Sequence, residues 1–318
     1  VRSALVLGAG GYVGQAFHLG VLSALQELTG FDGRTADALV GTSAGSLVAA
    51  GLAGGLSAMD LTAEVLGEPV SAQGAAIRHA TRQPDGGRAT VIERPMTGRG
   101  PLSPLALLRA ARNPLSTRPA ALVSSLLPAG RQTTEPIARA VRDLHGLSWP
   151  ERDLRICAVR ARDARRVVFG TDQAPATDVG SAVAASCAIP AYFTPMRVDG
   201  QAYVDGGVHS PTNADVLLHD EPELVVVLSP MSVARRSGPR PDLAVRLAFR
   251  RYLALEVRRL RGRGAYVAVF EPGPRDLAVM GINPMRGARI GEIVSTAYET
   301  VRHRLELQPA LAEALSQR

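Results

Sequence analysis

The chain has 318 residues, 46% of them apolar and 20% charged, which is the composition of a folded globular protein and excludes intrinsic disorder. Thirty-six basic against 29 acidic residues leave a net charge of +7, but no aromatic and basic interleaving or zinc-finger spacing accompanies it, so nucleic acid is not an expected partner. Two cysteines, Cys157 and Cys187, cannot build a disulfide scaffold and read as buried thiols, and no run of about 18 uncharged apolar residues marks a membrane span.

Ala4–Leu7 reads as a short buried strand running straight into glycines rather than as a secretion signal, which leads to the expectation of a cytoplasmic enzyme. Gly8–Gly14 is a glycine-rich turn. Gln15–Leu28 has helical spacing, with Phe17, Val21, Leu22, Leu25 and Leu28 on one broad side. Ala38–Val40 is a second short strand, and Ser46–Leu52 continues as a small-residue helix. Strand, glycine turn, helix, strand, helix predicts an α/β fold with a mostly parallel central sheet covered by helices on both faces.

From about 55 to 145 the pattern predicts a helical insertion or cap within the domain. Short helical pieces at 58–66, 105–109 and 135–144 are interrupted by Pro, Gly and Arg, with turn signals at 85–88 and 99–101. Strand character returns at Leu154–Val159, Arg166–Phe169, Tyr203–Asp205, Leu224–Leu228 and Ala265–Phe270. Asp242–Arg261 is a long helix on which Val245, Phe249, Tyr252, Leu253, Val257 and Leu260 recur near helical spacing. Its arginines, Arg246, Arg250, Arg258, Arg259 and Arg261, are expected in solvent, and the same pattern suits peripheral contact with an anionic membrane. Ile290–Leu305 closes a single domain spanning 1–306, with 307–318 as a loosely folded C-terminal tail.

Gly41-Thr42-Ser43-Ala44-Gly45 lies between an apolar run and a helix-compatible run. That is the context of a nucleophile elbow, in which a tight strand-to-helix turn lifts the serine hydroxyl out of the sheet. The following helix N-terminus favours the negative charge of a tetrahedral intermediate. Gly8-Ala9-Gly10-Gly11-Tyr12-Val13-Gly14 contains G-x-G, but Val13 occupies the last glycine position expected of a dinucleotide loop. It reads better as an oxyanion hole, with backbone N–H groups near Gly10 and Gly11 converging on a substrate oxygen.

The base is less obvious. His219 and His303 sit in surface-like helical settings, which leaves His209, four residues beyond Asp205, as the one serious histidine. Asp205 ends a strand and precedes Gly206-Gly207, where no side chain crowds it. Such an aspartate can reach a serine hydroxyl directly as general base and acid. A turn aspartate fits the same Asp-Gly pair.

Three blocks in order carry a resemblance. They are Leu7–Gly14 with His18–Leu25, then Gly41–Ser46, then Ala185–Phe193 followed by Tyr203-Val204-Asp205-Gly206-Gly207 and Asn213. The chain resembles the bacterial patatin-like phospholipases, a family of Ser-Asp dyad lipid acyl hydrolases, over roughly residues 4–305. The resemblance implies a patatin-like three-layer architecture, Ser43 as nucleophile and Asp205 as its sole side-chain base. It places Gly10 and Gly11 in the oxyanion hole, with Gly8, Gly14, Gly41, Gly45, Gly206 and Gly207 supporting the motifs. It implies a lipid or other acyl ester as substrate and calls for no cofactor and no metal. Where many members carry a basic residue this chain has Val13, so a cation near the site is not expected, while the backbone donors are. An acyltransferase or thioesterase on the same dyad, and a non-catalytic or nucleotide-binding α/β protein, are the alternative readings.

Overall fold

The computed structural model describes residues 3–81, 130–234 and 239–316. The pieces predicted at 85–88, 99–101 and 105–109, and the middle of the 55–145 insertion, lie outside the described residues. Among the described residues the strands are β1 (Ser3–Leu7), β2 (Ala38–Thr42), β3 (Asp153–Arg160), β4 (Arg165–Phe169), β5 (Met196–Val198), β6 (Gln201–Asp205), β7 (Leu224–Leu228) and β8 (Tyr266–Phe270). They form one sheet with hydrogen-bonded order β5-β6-β3-β2-β1-β7-β8, and β4 also pairs with β3. The β8-β7-β1-β2-β3 core is parallel, as expected from the sequence, while β4, β6 and β5 join antiparallel.

Residue alternation along the central strands builds two cores at once. Leu5, Leu7, Leu39, Ile156, Leu224, Val226 and Leu228 face one side, whereas Ala4, Val6, Val40, Val225 and Val227 face the other. A parallel sheet needs cover on both faces, and these strands, apolar at nearly every position, supply it. The first face packs α1 (Gly11–Thr29), α2 (Ala44–Ala53), α3 (Ala58–Leu66), α5 (Glu135–His145), α6 (Val179–Ser186) and α9 (Ile290–Leu307), while α4 (Ala72–Thr81) lies beside α5. The second face is covered by α7 (Leu243–Arg261) through Leu253, Val257 and Leu260. Burying each such leucine or valine contributes about 1.5–3 kcal/mol.

Three features differ from the sequence reading. Arg246, expected in solvent, is buried, because its guanidinium pairs with Asp242 at 2.7 Å and donates to the carbonyls of Pro230 and Ser232. The helix α8 (Pro274–Met280) has no counterpart among the expected elements; seven residues give too short a periodic signal. The predicted loose tail contains α10 (Pro309–Ser316), whose Leu311 and Leu315, one turn apart, are buried in the first core. Both cysteines are free and buried, as expected.

Candidate active site

The register of β3 brings two distant segments together. Thr42 of β2 pairs with Cys157, and Asp205 of β6 pairs with the next residue, Ala158. Because β4 pairs with β3 at both of these positions, it occupies the opposite edge. The C-terminal ends of β2 and β6 therefore run toward each other along one edge of β3 and meet. Ser43 follows one end and Asp205 is the other.

Ser43 has φ 53° and ψ −123°, a left-handed conformation that costs a non-glycine residue about 1–3 kcal/mol. Two contacts hold it there. Its N–H donates to Ser186 Oγ at 2.8 Å, and Ser186 donates in turn to the Cys157 carbonyl at 2.6 Å. Ser46 donates its hydroxyl to the Ser43 carbonyl at 2.6 Å. Gly45 lets α2 approach the sheet: a β-carbon there would lie 2.0 Å from the Leu7 carbonyl oxygen.

The Ser43 side chain faces the Asp205 carboxylate in the same cleft and favours its charged form, and Asp205 Oδ1 accepts the Gly207 N–H at 2.7 Å. Asp205 is 5% exposed, and burial pushes its pKa up from 3.8 to about 6, with the nearby Ser43 hydroxyl and the Gly207 N–H opposing the shift. The carboxyl is thus a stronger base than a solvated aspartate and remains ionised at neutral pH.

The glycine turn supplies donors. Of the first N–H groups around the start of α1, Gly8 gives its own to Leu228, Ala9 to Pro211, Val13 to Pro284 and Gly14 to Gly10. The N–H groups of Gly10 and Gly11 make no backbone bond among the described residues, and both glycines line the same cleft as Ser43 and Asp205. Gly11 has φ +59°, and a β-carbon there would lie 2.6 Å from the Pro284 carbonyl oxygen. Neutral His18 fixes the turn from below: its Nε2 lies 2.7 Å from the Gly8 carbonyl, and burial lowers its pKa from 6.5 to about 4.

The cleft encloses about 370 Å³ and is walled mainly by Ile189, Pro190, Val208, Met231, Phe249 and Met285. Ile189 and Pro190 come from the loop that follows α6; no described residue of 55–145 lines the cleft. Asp205 is the only charged residue among its described lining residues. Val13 does not line it either: the side chain is buried in the core with Leu5 and Leu7, so the departure at this position is absorbed by packing.

The loop after Asp205 rests on a buried polar network. Asn213, with φ 53°, donates to Thr42 Oγ1 at 3.1 Å and to the Ser210 carbonyl at 2.7 Å, and Arg166 donates to its Oδ1 at 3.2 Å. Glu256, deep on α7, accepts the hydroxyls of Ser210 and Thr212, each at 2.6 Å, and the Ala214 N–H at 3.1 Å. Sequence reasoning missed Ser186 and Glu256. Glu256 had a usable signal, since it interrupts the Leu253, Val257, Leu260 stripe with a charge. His209 is half-buried on the loop and does not line the cleft, whereas its neighbour Val208 does. His219 and His303 are both exposed, and neither lines the cleft.

Ser186→Ala would leave the Ser43 N–H and the Cys157 carbonyl unpaired. The expected cost is about 2–4 kcal/mol of stability, with turnover about tenfold lower because the elbow loosens. Denaturant unfolding and ester assays check this, and wild-type values in both would remove Ser186 from that role.

The patatin-like phospholipase family profile matches residues 5–218. No curated protein matches the chain. Similar solved structures include VipD from Legionella pneumophila, at 14% identity and TM-score 0.42, covering 96% of this chain and 66% of that one. The type III effector ExoU aligns at 17% identity and TM-score 0.37, covering 96% and 53%. The ExoU–SpcU complex from the type III secretion system of Pseudomonas aeruginosa aligns at 18% identity and TM-score 0.38, covering 96% and 51%. The chain thus spans between about half and two thirds of the length of these proteins. With more than half of its residues matched by the family profile, the chain belongs to the patatin-like phospholipase family.

Proposed function

We propose that the protein is a lipid acyl hydrolase that cleaves carboxylic esters through an acyl-enzyme on Ser43. The observation that carries this reading is the meeting of Ser43 and the buried Asp205 carboxylate in one apolar cleft, beside the N–H groups of Gly10 and Gly11. Asp205 takes the Ser43 proton as Oγ bonds to the ester carbonyl carbon. The oxyanion so formed is held by the Gly10 and Gly11 N–H groups; one such donor is worth about 3 kcal/mol. The carbon–oxygen bond to the alcohol breaks, and the leaving oxygen takes the proton from Asp205. Water then gives a proton to Asp205, attacks the acyl carbon and releases the acid, returning the proton to Ser43. A pKa of about 6 suits the alternation of base and acid near neutral pH.

The apolar walls suit an acyl chain. No helix among the described residues is long and apolar enough to cross a membrane. Contact with an anionic lipid surface belongs to the same reading: Val245 and Leu255, about half exposed, share α7 with exposed Arg251 and Arg259, while Phe249 of the same helix lines the cleft.

A fluorophosphonate probe and a series of esters test the assignment. Labelling and hydrolysis are expected in wild type and lost in Ser43→Ala, with longer acyl chains preferred. Equal labelling of Ser43→Ala would sink the nucleophile.

A further inference from the structure

A second feature lies along the outer edge of the sheet. Arg250, Ala254, Arg258 and Arg261 follow one another at i, i+4, i+8 and i+11 on α7, which places them within an arc of roughly 80° on one flank. The small Ala254 leaves a depression between the arginines. This flank and β8 enclose a cavity of about 300 Å³. Arg261 also lines a neighbouring cavity of about 360 Å³, whose other wall carries Arg304 and Gln308.

The guanidiniums at its deep side are held by the edge strand. Arg261 donates to the Val267 carbonyl at 2.8 Å, and Arg304 donates to that of Val269 while lying 4.7 Å above the Phe270 ring. These bonds leave further N–H donors on each of them, since a guanidinium carries five. Arg250, Arg258, Arg261 and Arg304 form no carboxylate ion pair among the described residues, although Arg34, Arg78, Arg142, Arg155, Arg160 and Arg166 all do. Among the described residues, the one carboxylate lining the groove is Glu271. The helix dipole explains cations in the last turn of α7, but not Arg250, two turns earlier, nor Arg304 from another helix.

We propose that this groove is a binding site for a phosphate monoester, taken either from a lipid headgroup or from a soluble phosphorylated molecule. Planar guanidinium forks match a dianionic phosphate, and four of them around two adjoining cavities exceed what one edge glutamate balances. Binding is separate from hydrolysis at Ser43 and does not require that activity.

The test measures binding to Ser43→Ala protein, so that no turnover intervenes. Phosphatidylcholine vesicles carrying phosphatidic acid are compared with charge-matched vesicles carrying phosphatidylglycerol, and inorganic phosphate is titrated by calorimetry. Phosphatidic acid or free phosphate is expected to bind, the lipid at least about tenfold more tightly than phosphatidylglycerol, the effect of one charge-assisted contact. Arg250→Glu/Arg258→Glu should lose at least about tenfold in either arm, while the same double change in a Ser43-intact chain retains wild-type unfolding and short-ester turnover. Binding of phosphate without vesicles identifies a soluble ligand, and vesicle binding a headgroup. No binding in either arm, equal retention by both vesicle types with no phosphate binding, or undiminished binding by a folded double variant would overturn the site.

Discussion

Asp205→Asn protein is expected to lose about 10³–10⁴-fold in ester turnover and yet, at neutral pH, to be more stable than wild type. The amide oxygen can still accept the Gly207 N–H, so the fold keeps that contact. What disappears is the cost of burying a charge. With its pKa raised from 3.8 to about 6, Asp205 binds a proton more readily folded than unfolded, so its contribution to stability falls as pH rises across that window. Above pH 6 the full penalty is present, about 3 kcal/mol. His18 acts in the opposite sense. Its folded pKa of about 4 lies below 6.5, so its contribution is full above that value and is lost as pH falls toward 4. In wild type the two slopes largely offset one another. The asparagine variant should therefore gain most above pH 6, converge on wild type near pH 4, and show a steeper acid loss. Unfolding measured across that range checks both signs. A variant less stable than wild type at pH 7 would contradict the burial account.

Gly45→Ala is the expected extreme on the stability side. The added carbon would lie 2.0 Å from the Leu7 carbonyl oxygen and 2.7 Å from that of Gly8. Both are backbone atoms, and Leu7 is held between β2 and β7 on the central strand, so neither can yield cheaply. We expect a loss of about 4 kcal/mol or more, seen as a lower denaturant midpoint or failure to accumulate folded protein. Gly30→Ala is the contrast. Nothing lies within 4 Å of its added carbon, and only φ +75° opposes the change, so about 1 kcal/mol is expected. Equal effects at the two sites would show that the close approach of α2 to β1 is not a constraint.

These contrasts also show what could be read without coordinates. The elbow was legible because its rule is local: glycines at two positions, an apolar strand before and a helix after. The two-sided sheet was legible for the same reason, since continuous apolar runs at 4–7 and 224–228 have one common explanation. What brings Asp205 to Ser43 was not legible. It depends on which consecutive residues of β3 pair with β2 and β6, a register set by strands more than a hundred residues apart in sequence. Ser186 was invisible as a brace because a serine ending a small-residue helix has no pattern that names its partners. The burial of Arg246 and Leu315 escaped the sequence for a related reason. A helix face is read relative to its own period, whereas burial depends on what packs against it.

The most direct test of a Ser43–Asp205 pair is the rate of fluorophosphonate labelling as a function of pH, with the modified residue mapped. The label is expected on Ser43, with a rate rising through an apparent pKa of about 6 to a plateau, nearly abolished by Asp205→Asn and unchanged by His209→Ala. Labelling that survives Asp205→Asn at the wild-type rate but is lost in His209→Ala would contradict the pair and return the role of base to the histidine.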